Sequence, residues 1–263
     1  MFYDQVKNTL AMKNTYIALD TNIWIYLASP SGTELLTQLE NKVDDGSTSV
    51  VLNDIIETEW RRNREKTLSN LVTLIREQYQ KAKDLCSFVQ DEEKKQTIND
   101  LLTLYNAEDE RIKEAHAAVA RVEALMSKCI KIKVTPEQKL YVAEMAIHGI
   151  PPMANHKNNF NDALIVRNLA EYVHNCIIHE GSALPNKYDL IYVSKNLKDF
   201  VSEDTKEVYP KILEGFEQVR LVPFHELGQA LFQATELIDD FDEWLEWQLE
   251  MQAEYEFDLR RGK

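Results

Sequence analysis

Glycine and proline are scarce, seven of each in 263 residues. Little material is left for flexible linkers, so the chain reads as one large domain or a domain with an insertion. Cysteine is scarcer still. Cys86, Cys129 and Cys176 are odd in number and far apart, which argues against a disulfide framework and against a zinc site. Reduced thiols in a cytoplasmic protein are expected. No run of 18 or more apolar residues occurs, so no membrane span is expected, and Met1 to Lys13 has no apolar signal core. The six histidines form no close ligand pair. P-loop, G-x-G-x-x-G and G-x-S-x-G patterns are absent. Basic charge is in deficit: 30 Lys and Arg against 44 Asp and Glu give a net charge of −14, unfavourable for generic nucleic-acid binding. That deficit is local. Ten of the acids lie between Glu236 and Asp258, where there is no Lys or Arg, and the rest of the chain carries 30 basic against 34 acidic residues.

Short apolar runs that end abruptly in polar chemistry are what the chain does have. Tyr16-Ile17-Ala18-Leu19 runs into Asp20-Thr21-Asn22. A buried strand with an acid at its C-terminal tip presents that acid where open α/β sheets bind ligands, although Asp20 would equally serve as a helix N-cap. Ser49-Val50-Val51-Leu52 is a second strand, followed by a helix from Asn53 or Asp54. On that helix Glu57 shares a face with Arg61 and Arg64, an ion-pairing position. Glu59 shares a face with Ile55, Ile56 and Asn63 and points inward, where an unpaired carboxylate is costly. Asn161-Asp162 opens a further helix, with Asp162 one turn before the buried Val166; a capping role would also account for it. Tyr188 to Val193 is a third core strand running into Ser194-Lys195-Asn196-Leu197-Lys198-Asp199, then come a helix near Lys206–Phe216 and a fourth strand at Val219–Val222. Strands alternating with helices give a parallel α/β sheet.

Between Leu68 and Cys129 the apolar residues recur at steps of three and four, interrupted by Asp91-Glu92-Glu93-Lys94-Lys95. This predicts two long helices in an antiparallel hairpin, suited to clamping a substrate, to pairing two protomers, or only to packing on the core. Lys128 to Val134 alternates and reads as a short extended segment; Thr135-Pro136-Glu137 starts a helix. The predicted organisation is a core of residues 1–67 and 131–224, a hairpin at 68–130 and a helical tail at 225–263. The tail steps Leu237, Phe241, Trp244, Gln248, Met251 and Tyr255 along one face. It is either a core-packing helix or an acidic interface that controls access to a basic groove.

Parallel strands bring their C-terminal tips to one edge, and the helices that follow begin there. Asp20, Glu59, Asp162 and Asp199 are thereby expected together. Four carboxylates cannot all ionise side by side without a cation, and oxygen ligands of this kind suit Mg²⁺ or Mn²⁺. Such an ion activates water toward a phosphodiester. Asn22, Ser194 and Asn196 fit as groups that orient the carboxylates. Tyr26, Arg61, Arg62, Lys157 and Lys195 flank the edge as candidate phosphate or base contacts.

Leu19-Asp20-Thr21-Asn22, the acid Glu59 one turn into the helix after the second strand, Asn161-Asp162-Ala163, and Val193 to Phe200 occur in an order that resembles the PIN-domain nucleases. The resemblance covers roughly 14–64 and 134–224, and within the family it is similar to the larger, helix-inserted prokaryotic members. It implies a Rossmann-like three-layer α/β/α fold with a central parallel sheet, elaborated here by the inserted hairpin and C-terminal helices. It also implies a Mg²⁺- or Mn²⁺-dependent nuclease, most often an endoribonuclease, of the kind used by toxin–antitoxin pairs, RNA processing and phage defence. Carried over, Asp20, Glu59 and Asp162 match the first three acids. At the fourth the sequence departs: Asn196 stands where the family often has an acid, and Asp199 would supply the charge. RNA is the implied substrate, with DNA an alternative because the metal chemistry does not select the sugar. A controlling antitoxin or sensor protein and a homodimer are implied partners; a catalytically silent scaffold that binds a protein partner is the competing reading.

Overall fold

The computed structural model describes residues 15–103, 107–153, 159–180, 188–202 and 207–235. The central sheet has five parallel strands in the order β3-β2-β1-β4-β5. They are β1 (Thr15–Leu19), β2 (Thr48–Asn53), β3 (Ile130–Ile132), β4 (Tyr188–Val193) and β5 (Val219–Phe224). Every β1 residue is buried, as expected of a central strand covered on both faces. The order runs one way from β1 to β3 and the other way from β4 to β5. The crossing point therefore lies between β1 and β4, the place where open α/β sheets form a ligand crevice.

The helices are α1 (Thr21–Leu27), α2 (Thr33–Asp44), α3 (Asp54–Cys86), α4 (Glu92–Thr103), α5 (Glu108–Lys128), α6 (Pro136–Ile147) and α7 (Phe160–Glu180), with α8 over 227–235. Helix α1 is locked onto β1 by Trp24, fully buried, whose indole Nε1 donates to Leu19 O at 3.1 Å. A capping box closes the start of α6: Thr135 Oγ1 accepts from Gln138 N, and Gln138 Oε1 accepts from Thr135 N, satisfying two otherwise orphaned donors. Helix α8 buries Leu227, Ala230, Leu231 and Ala234 and is tied to α2 by Lys42 Nζ donating to Thr235 Oγ1 at 2.7 Å.

Several expectations change in detail. The extended segment near Ile130 is a fifth, edge strand, paired with β2 through Val51–Ile130 and Asn53–Ile132. The helix anticipated near Lys206–Phe216 is only a 3₁₀ turn, Pro210–Leu213, after a lone bridge between Val201 and Val208; Pro210 withholds an N–H from any helix continuing through it. The fourth strand in chain order is Tyr188–Val193, and Val219–Phe224 is the fifth. Among the described residues the hairpin is three helices, α3, α4 and α5, and α3 runs unbroken for 33 residues from the β2 tip. Glu59 and the first arm of the hairpin thus belong to one helix. Helix α5 returns antiparallel, with Trp60 Nε1 and Arg64 Nε both donating to Glu123 Oε1 at 3.3 and 2.8 Å. Leu68, Leu71, Ala115, Val119 and Val122 join the same buried cluster as the sheet. Farther out, Leu85, Phe88 and Leu101 are exposed. The anticipated arm before Thr15 and the aromatic stripe beyond Thr235 lie outside the described residues.

Candidate active site

The C-terminal tip of β1 delivers Asp20 into the crevice between β1 and β4. Its backbone N donates to Val193 O at 2.9 Å, and the residue is only 7 % exposed. Both oxygens are engaged. Oδ1 accepts from Thr21 N at 2.6 Å; Oδ2 accepts from Asn22 Nδ2 at 2.9 Å and from Ser194 Oγ at 2.7 Å. Asp20 is therefore the N-cap of α1 and a buried crevice carboxylate at once; the two readings were not alternatives. Burial raises its pKa above the ordinary carboxylate value, the hydrogen bonds from Ser194, Thr21 and Asn22 oppose this, and the nearby charge of Glu59 adds to the rise.

Glu59 comes from the second turn of α3, whose start is fixed by Asn53 Oδ1 accepting from Ile55 N at 2.7 Å. It is half-buried. Oε2 accepts from Thr21 Oγ1 at 2.7 Å, and Oε1 from Asn161 Nδ2 at 3.5 Å. Glu57, two residues earlier, turns away to Lys131 at 2.6 Å and Arg61 at 2.9 Å, and Lys131, ahead of Arg61, holds its pKa down. Helical periodicity thus separated the two glutamates as expected.

Asp162 lies in the first turn of α7, half-buried, with the helix opening at Phe160 rather than at Asn161 or Asp162. Tyr192 is fully buried on β4; burial first, and then the charges of Asp20, Asp162 and Glu59, push the pKa of its hydroxyl well above the ordinary range. Thr21, bonded to Asp20 through its N, and Asn161, next to Asp162, both donate to Glu59, which links the three elements at the sheet edge. Ser194, 1 % exposed, follows β4 directly; besides donating to Asp20 its Oγ accepts from Asn196 N at 3.0 Å. Asn196 is exposed and is linked to Asp20 through Ser194 by this backbone contact. Asp199 sits in a 3₁₀ turn, Leu197–Asp199, and its side chain lies outside the described residues, as do His156 and Lys157.

Two cations flank the acids without a carboxylate partner among the described residues. Lys195, exposed beside Ser194, sets its Nζ 5.1 Å from the Tyr26 ring. Arg62, exposed, lies three residues beyond Glu59 on the same helix. Arg61 is paired to Glu57, and Arg64 to Glu123 and Glu65.

Thr21 was missed as a site residue by sequence reading, although it joins Asp20 to Glu59 through its N and its Oγ1. Its signal was its place between an acid and an amide at a strand tip. Asn161, read as a helix start and as part of the Asn161-Asp162-Ala163 block but not as a site residue, touches Glu59. Tyr192, read only as core, was hidden by its strand position.

The donors are all oxygen, which suits a hard divalent cation. Asn22 Oδ1 is buried and has no hydrogen-bond partner among the described residues, an acceptor of the kind such a site uses. The residues present fit Mg²⁺ or Mn²⁺ by chemistry. Among the described residues, however, no three His, Cys, Asp or Glu side chains stand close enough together to hold a metal as they are. The acids instead take bonds from Thr21, Asn22, Ser194 and Asn161.

Among the described residues no helix is long and apolar enough to cross a membrane. No curated protein and no solved structure matches the chain. A family model described as PIN domain matches residues 17–200, from β1 through the arm and all three acids to the turn after β4. The chain belongs to the PIN-domain family.

Proposed function

We propose that the protein is a Mg²⁺- or Mn²⁺-dependent endoribonuclease. Membership of the PIN-domain family supports a nuclease role in general. The finer reading is supported by one observation: at the β1–β4 crossing point Thr21 ties Asp20 to Glu59, and Asn161, next to Asp162, reaches the same Glu59. In this reading Asp20, Glu59 and Asp162 hold the cation, with Asp199 as the fourth acid. A bound divalent ion supplies a nucleophilic water at neutral pH and neutralises charge on the leaving oxygen. Asn22 and Ser194 keep the Asp20 carboxylate oriented. Thr21 couples Asp20 to Glu59. Lys195 and Arg62 take backbone phosphates on either side of the scissile bond, and Tyr26 offers a ring face to a base. Residues 68–130 act as an arm on a core of 1–67 and 131–224. The exposed Leu85, Phe88 and Leu101 favour its use in pairing protomers.

The test is cleavage of matched RNA and DNA oligonucleotides with Mn²⁺. Wild type should cut RNA, and the Asp20→Asn, Asp162→Asn double variant should lose cleavage by at least about 100-fold. Retained metal-dependent cleavage in that variant sinks the assignment, and preference for the DNA strand replaces RNA by DNA. The silent-scaffold reading draws on Asn196 in place of an acid and on the acidic tail. Tight Mn²⁺ binding by calorimetry, lost in Asp20→Ala, removes it. A toxin or phage-defence role, with an antitoxin or sensor protein as controller, is the biological setting this activity fits; the neighbours of the gene test it.

A further inference from the structure

Tyr192 has a hydroxyl that packing does not need. The residue is 0 % exposed, and its ring is held against Phe200 with centroids 5.2 Å apart at 57°. Phenylalanine would fill that space equally well. Tyr192 and Ser194 are two residues apart along β4, so they stand on one face of the sheet, the face on which Ser194 Oγ reaches Asp20. The hydroxyl has no hydrogen-bond partner among the described residues. Burial and the surrounding negative charge hold its ionisation well above the usual range, so it remains an O–H donor. A fully buried hydroxyl without a protein partner is normally served by ordered water. Asn22 Oδ1, beside Asp20, is a second buried polar atom without a partner among the described residues, and Tyr192 stands in register with Ala18, two residues before Asp20.

We propose that Tyr192 is a positioning residue of the acid site, its hydroxyl donating to a buried water that bridges to the acid cluster from the inner side of the sheet. The water gives the acids a hydrogen-bond donor within the core and steadies them against one another. Its metal-related consequence rests on the nuclease reading above; its structural consequence does not.

The experiment is Tyr192→Phe, which keeps the ring and removes only the oxygen. Thermal unfolding of chelator-treated protein is compared first. A hydroxyl bonded through water to the acids makes the variant less stable than wild type. A hydroxyl that bonds nothing makes the variant equal or more stable, and that result overturns the inference. Calorimetric Mn²⁺ titration then reads positioning, with a dissociation constant expected to rise roughly tenfold in the variant and kcat to fall while KM for RNA stays unchanged. Unchanged Mn²⁺ affinity also overturns the positioning role. A wild type that binds no Mn²⁺ overturns the nuclease reading instead, and the unfolding comparison still decides the hydroxyl's role.

Discussion

Asp20 is a carboxylate folded into surroundings that disfavour its charge. Burial raises its pKa more than the bonds from Ser194, Thr21 and Asn22 lower it. The folded state therefore holds the Asp20 proton more tightly than the unfolded state does. By linkage, this contribution to stability is full below the ordinary carboxylate range and is lost as pH rises through the folded-state pKa. Asp20→Asn removes the charge that forms there. In metal-free protein the variant should melt above wild type at pH 7, with the gap closing toward pH 3. A variant that melts below wild type at pH 7 shows that the hydrogen bonds outweigh the burial. The same substitution abolishes the proposed cleavage, so stability and activity should move in opposite directions at this one residue.

Helices α3 and α7 bring Glu59 and Asp162 to the crevice, and a buried amide chain ties them together. Asn53, 0 % exposed at the tip of β2, caps α3 and donates through Nδ2 to Asn168 Oδ1 on α7. Asn168 Nδ2 donates to Gln138 Oε1 at 3.0 Å and to Lys133 O at 3.2 Å. Gln138 Nε2 returns to Glu171 Oε2 on α7 at 2.8 Å. Asn53 and Asn168 each lie six residues from the acid on their own helix, so the chain sets the spacing of the two acids. Asn168→Leu leaves several buried groups unpaired, at about 1–3 kcal/mol. Thermal unfolding should show the loss, and cleavage should fall with it; an unchanged melting temperature would mean that α3 and α7 are held by apolar packing alone. Glu59 itself was legible because helical spacing acts over a few residues. The amide chain was not, since Asn53 and Asn168 are 115 positions apart and no local pattern relates them.

The whole molecule is acidic, yet Lys195 and Arg62 have no carboxylate partner among the described residues. Nucleic-acid binding should therefore be local and salt-sensitive. Lys195→Ala and Arg62→Ala should each weaken RNA binding and lower the slope of log affinity against log salt by about 1. Fluorescence anisotropy on the Asp20→Asn background reads this without cleavage, and an unchanged slope removes the residue from the RNA path. The acids between Glu236 and Asp258 repel RNA or shield the site if the tail lies near it. Deleting 236–263 should then tighten RNA binding at low salt, with the difference shrinking as the Debye length contracts from about 10 Å at 0.1 M. Sedimentation of the same sample reports whether the tail or the arm pairs protomers; no change in affinity or mass removes both roles for the tail.

Strand tips, helix faces and the family were legible in the sequence because each depends on near neighbours: a β-branched run, a 3.6-residue period, an acid where an apolar run stops. The same signals misjudged the segment around Pro210, where the helix-like pattern contains a residue without an N–H. They also divided α3 into a core helix and an arm, although nothing between Asp54 and Cys86 breaks it. Which strands lie side by side was a tertiary matter. The order β3-β2-β1-β4-β5 puts the tips of β1 and β4 at the crossing point, and only this lets Ser194 donate to Asp20 across 174 residues of chain. Local chemistry could nominate the acids. Their burial, the bonds that hold them and the burial of the Tyr192 hydroxyl arise from packing between distant segments, which the fold alone decides.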